Sequence, residues 1–106
     1  MEKRKRRRLE AEGWKIGTVG EFLGLTAAEE QMVELRVSLA AELQKRRVRA
    51  GLTQAQLASL LKSSQSRVAK MEAGDPTVSI DLLIRALFLL GTTPRQLASA
   101  IQSRVA

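Results

Sequence analysis

Apolar residues in this chain recur at three- and four-residue intervals, the period of helices that bury one face. From Thr26 onward the pattern is punctuated by start and stop signals. Thr26-Ala27-Ala28-Glu29 has the form of a capping box, in which a hydroxyl and a carboxylate three residues apart satisfy free N–H groups of a first turn. It predicts a long helix over residues 27–50, with Met32, Leu35, Leu39 and Leu43 on one face. Lys45, Arg46, Arg47 and Arg49 load its last turns, where the helix dipole favours cations, and Gly51 ends it. Thr53-Gln54-Ala55-Gln56 repeats the box and opens a helix to about Lys62. Ser63 and Ser64 make a turn, with Ser64 the N-cap of a helix over residues 65–73. Gly74-Asp75-Pro76 interrupts the chain, Ser79 caps a helix over residues 80–90, and Gly91 terminates it. Thr93, Pro94 at the first helical position and Gln96 open the last helix. Upstream, Thr18-Val19-Gly20-Glu21 predicts a short helical turn through Phe22 and Leu23, closed by Gly24. No segment alternates with the period of two that marks a half-buried strand, so an all-α fold is expected.

The 106 residues, 44% of them apolar, suffice for one domain with a real core. No apolar run approaches the roughly 18 residues that would cross a membrane. The opening MEKRKRRRLEAEG lacks the apolar stretch of a secretory signal, and there is no cysteine to form a disulfide. A cytoplasmic location is expected. The chain also has no histidine and no tyrosine, which removes the commonest general acid/base and the commonest zinc ligand. Its eleven acidic residues are scattered at helix-surface spacing, with no glycine-rich phosphate cradle beside them. A non-enzyme needing neither metal nor cofactor is expected.

The net charge of +7 implies a polyanionic partner, and its distribution refines that statement. Residues 1–8 carry +5, residues 9–50 carry −1, and residues 51–106 carry +3. Residues 1–12 read as a basic flexible tail, residues 13–34 as an N-terminal extension, and residues 35–106 as the main domain. Most of the excess charge lies in the tail, so charge alone does not locate a nucleic-acid-binding surface.

The arrangement over residues 53–73 does. Two short helices separated by a few residues form a candidate helix-turn-helix. Leu57, Ala58 and Leu61 face inward from the first, Val68 and Met71 from the second, and Ala58 is small where the helices would cross. Gln65, Ser66, Arg67 and, one turn on, Lys70 form the polar outer edge of the second helix. Such an edge enters a major groove, where Gln pairs with adenine and Arg with guanine. Gln54, at the N-terminus of the first helix, sits where backbone N–H groups bind phosphate. Lys62 and Ser64 complete the candidate DNA-binding set. Glu72 reads as structural, bonded to neighbouring backbone or to an arginine.

Leu52-Thr53-Gln54, Leu57-Ala58, Ser64-Gln65-Ser66 and Met71-Glu72-Ala73-Gly74 together resemble the lambda-repressor-like (Cro/XRE) helix-turn-helix family. The resemblance extends over roughly residues 36–101, taking in Val78-Ser79-Ile80 and the helix with Leu82, Leu83, Ala86 and Leu87. It implies a five-helix DNA-binding domain, here with an N-terminal helical extension, and a transcriptional regulator, most simply a repressor of its own promoter. The chain departs from the family at the turn, where Lys62-Ser63 stands in place of Gly and an apolar residue; a positive φ there would strain Lys62. Gly13-Trp14-Lys15-Ile16-Gly17 and Glu21-Phe22-Leu23-Gly24-Leu25 are similar to a subgroup of HigA-type antitoxins. That similarity implies a possible ribonuclease toxin as partner, and an alternative in which masking the toxin is the main task and DNA binding secondary. An RNA-binding role fits poorly, since three aromatic residues offer little for base stacking.

The segment Leu82-Leu83-Ile84-Arg85-Ala86-Leu87-Phe88-Leu89-Leu90 is apolar nearly all round. One helix face cannot bury all of it in so small a monomer, which predicts a subunit interface including Phe88, Leu89, Leu90, Leu97 and Ile101. A homodimer would present two second helices about 34 Å apart, matching the half-sites of a palindromic operator in double-stranded DNA.

Overall fold

The structure, a computed structural model, describes residues 26–105. The basic tail, the Thr18-Val19-Gly20-Glu21 box, Trp14 and the antitoxin-like segment all lie outside the described residues. Among the described residues five helices follow one another: α1 (Ala27–Arg49), α2 (Gln54–Leu61), α3 (Gln65–Glu72), α4 (Ile80–Leu89) and α5 (Pro94–Val105). Among the described residues there is no strand. The chain divides into Met1–Val33 and Glu34–Ala106, and the helix-turn-helix lies in the second unit.

Local chemistry sets the helix boundaries. Thr53 and Gln56 exchange hydrogen bonds, Thr53 N–H donating to Gln56 Oε1 at 2.8 Å and Gln56 N–H to Thr53 Oγ1 at 3.1 Å. The Thr26/Glu29 and Thr93/Gln96 pairs do the same at the starts of α1 and α5. Ser64 and Ser79 cap α3 and α4 with single hydrogen bonds, accepting from Arg67 N–H and Leu82 N–H. Gly51 turns the chain out of α1 with φ at 76°, which a side chain would disfavour.

The core draws on every helix. Leu39 and Leu43 of α1 meet Leu57 and Ala58 of α2, Val68 and Met71 of α3, Leu83, Ala86 and Leu87 of α4, and Leu97 of α5. Each fully buried Leu, Val or Met side chain contributes about 1.5–3 kcal/mol of transfer free energy. Leu35 packs against the cluster, whereas Met32, in the first turns of α1, is exposed; the apolar stripe read from the sequence is therefore buried only from Leu35 onward. Arg36 donates from Nη1 to the Val78 carbonyl, tying α1 to the loop before α4. The hydroxyls of Ser38 and Thr92 are buried and have no hydrogen-bond partner among the described residues.

The predicted interface residues separate into three groups. Phe88 and Leu89 are 46% and 52% exposed. Leu97, only 9% exposed, is part of the core of the single chain. Its side chain is largely covered by its own domain, so little of it is left for a partner to cover. Leu90 and Ile101 are half-buried against the core.

Candidate nucleic-acid interface

The two helices of the predicted motif are each eight residues long. Leu57 and Ala58 on α2 and Val68 and Met71 on α3 are buried, so the helices pack through one shared apolar seam. Ala58 keeps that seam close, because any larger side chain there would push the helices apart. Leu61 is half-buried at its end.

The turn joining the helices is built on Lys62, whose φ of 57° and ψ of 47° are left-handed. Lys62 N–H donates to Ser59 O at 3.1 Å and Ser63 N–H to Ala58 O at 2.8 Å, so the turn satisfies carbonyls at the end of α2. Ser64 then resets the chain to extended geometry and accepts from Arg67 N–H at 3.2 Å. Its hydroxyl also lies 3.3 Å from that of Ser66.

With Val68 and Met71 turned inward, the opposite side of α3 has to face solvent. Gln65, Ser66, Arg67 and Lys70 are all exposed, as are Lys62 and Ser64 in the preceding turn. These six residues form one polar edge at the turn and the start of α3. Lys62 and Lys70, together with Arg67, make it cationic, and no salt bridge to a described acidic residue neutralises any of the three.

Gln54 differs from the other candidates. It is half-buried, and its Nε2 donates to Glu72 Oε1 at 3.1 Å. The same carboxylate holds Arg47, through Nε to Oε2 at 2.5 Å and Nη2 to Oε1 at 3.1 Å, and Arg47 Nη1 reaches the Leu52 carbonyl at 2.8 Å. The bond to Glu72 raises the Arg47 pKa above its ordinary value, keeping the guanidinium charged. Glu72 is thus structural and its partner an arginine, as the sequence suggested. The side chain of Gln54 is engaged in that network, while free N–H groups remain in the first turn of α2.

The cations at the end of α1 also divide. Arg47 is committed to Glu72, and Arg46 pairs with Glu42 one turn back at 2.7 Å, while Lys45 and Arg49 remain exposed. Beyond α3, the Asp75 carboxylate accepts from the N–H and O–H of Thr77 at 2.8 and 2.6 Å and is held below its ordinary pKa by those bonds. Among the described residues no cluster of acidic side chains could hold a metal ion, and no helix is long and apolar enough to cross a membrane.

Two short helices packed through a buried seam, with a tight turn between them and a polar, cationic edge on the second, define a helix-turn-helix DNA-binding domain. Residues 38–100 match a family of helix-turn-helix domains, and the chain belongs to that family. No curated protein and no solved structure gives a significant match to the chain.

Proposed function

We propose that this protein is a sequence-specific transcriptional repressor of the lambda-repressor-like (XRE) type, binding a palindromic operator in double-stranded DNA as a homodimer and regulating its own promoter. The observation that carries the reading is the division of α3: Val68 and Met71 are fully buried, while Gln65, Ser66, Arg67 and Lys70 are exposed on its other side. Gln65, Ser66 and Arg67 read base edges, and Lys70, Ser64 and the N-terminal N–H groups at Gln54 hold phosphates. Residues 35–106 form the DNA-binding domain, residues 13–34 an extension, and residues 1–12 a basic tail. Dimerisation runs through the end of α4, where the exposure of Phe88 and Leu89 supports it, with Leu90 and Ile101 alongside.

Selection of bound duplexes from a random-sequence pool, with the full chain as bait, tests this reading. An enriched palindrome is expected, and Arg67→Ala should lower affinity for it by about 1–3 kcal/mol and relax the sequence at one position per half-site. A pool that is never enriched would defeat it. The similarity of residues 13–25 to HigA-type antitoxins supports a second role, the capture of a ribonuclease toxin. Co-purification with the product of the adjacent reading frame tests that role, and its absence would leave a solitary repressor.

A further inference from the structure

Four described residues have backbone in the left-handed region: Gly51, Gly74, Gly91 and Lys62. At three of the four the chain uses glycine, which has no Cβ to clash there. The fourth carries a long cationic side chain at φ 57°, in a conformation where even the better-suited non-glycine residues are Asn and Asp. Lys62 is exposed, and its ammonium makes no ion pair or hydrogen bond with a described residue. No ion pair or hydrogen bond of the side chain to a described residue therefore offsets the strain. Its position is specific: it precedes the Ser64 cap by two residues and stands beside the exposed start of α3, where a DNA backbone would pass.

We propose that Lys62 is a phosphate contact, kept at a strained backbone position because glycine there would leave the interface without that cation. This rests on the DNA-binding reading above and adds to it a residue where folding and binding pull in opposite directions. The competing explanation is purely structural. A cation at the C-cap of α2 interacts favourably with the dipole of that helix whether or not DNA is present.

Three full-length variants separate the two: Lys62→Gly, Lys62→Gln and Lys62→Arg. The probe is a labelled duplex of about 30 base pairs of mixed sequence, titrated between about 50 and 200 mM NaCl, since phosphate contacts act on any sequence. Cations in the N-terminal tail are common to all variants and cancel in the comparison. Lys62→Gly should melt about 2–5 °C above the unmodified protein yet bind the duplex about 3–10-fold more weakly. Its log–log salt slope should be shallower by about 0.9 per bound protomer. Lys62→Gln should show the same loss of affinity and slope, and Lys62→Arg should bind like the unmodified protein. If Lys62→Gly and Lys62→Gln bind with unchanged affinity and slope, the proposal is overturned and the dipole explanation stands. Should the unmodified protein bind no duplex even at the lowest salt, the DNA-binding reading fails first and takes this proposal with it.

Discussion

Arg47 and Glu72, 25 residues apart in sequence, meet through two hydrogen bonds between guanidinium and carboxylate, and Gln54 donates to the same carboxylate oxygen that accepts the second. The Glu72 side chain is only 3% exposed and that of Arg47 12%, so both ions are largely removed from water. Their attraction has to offset that desolvation, and it does so only while the pair is intact.

Removing one member should therefore cost far more than removing both. Glu72→Ala leaves Arg47 and Gln54 without their acceptor, and a loss of about 2–4 kcal/mol in urea unfolding is expected. Arg47→Met combined with Glu72→Leu should recover most of that loss. A single substitution that costs under about 0.5 kcal/mol would show the pair to be no more than a surface contact.

Ser64 both caps α3 and stands at its exposed edge, and two substitutions split these tasks. Ser64→Ala removes the acceptor for Arg67 N–H and should cost about 1 kcal/mol of stability. Ser64→Asp keeps an N-cap oxygen, so stability should stay near that of the unmodified protein while DNA affinity falls through repulsion of phosphate. Equal DNA binding by Ser64→Asp would place that edge away from the nucleic acid.

The Thr92 hydroxyl is buried without a hydrogen-bond partner among the described residues, a destabilising arrangement. Thr92→Val replaces the hydroxyl with a methyl group of similar size and is expected to raise stability by about 1 kcal/mol. Thermal denaturation checks this, and a drop in melting temperature would mean that the hydroxyl does find a partner in solution.

Asp75 gives the domain an acid-sensitive turn. Because the N–H and O–H of Thr77 hold its folded-state pKa below the ordinary value of 3.8, its contribution is fully present above that value. It is lost as pH falls through the depressed folded-state value. Thr77→Val, which deletes the O–H donor, should destabilise the protein at about pH 6, and the difference should shrink at about pH 2. A difference that is constant across that range would assign the effect to packing instead.

Much of this was legible in the sequence because it is local. The boxes at Thr26, Thr53 and Thr93 and the caps at Ser64 and Ser79 depend on residues three apart, and all five appear as read. At Lys62 the sequence says only that a positive φ would be strained, and the structure has that φ at 57°. What the pattern could not reveal was pairing at long range. Glu72 was recognisable as structural, yet nothing local says that Arg47, among four cations at the end of α1, is its partner, or that Gln54 joins them. The burial of Leu97 was hidden for a related reason: spacing places it on the apolar face of α5, but only the packed domain shows how much of its side chain the core takes up.

The single carboxylate of Glu72 has one further consequence. It pins the end of α1, the start of α2 and the end of α3 to one point, so the spacing between the N-terminal donors of α2 and the exposed edge of α3 is set before any partner arrives. A protein with so fixed a bite leaves adjustment to the duplex. Sequences whose groove already has the right width would then bind without elastic cost, and stiffer ones would bend at a penalty. Affinity should accordingly respond to base pairs that no side chain reaches, a dependence that substitutions at uncontacted positions of a bound duplex would expose.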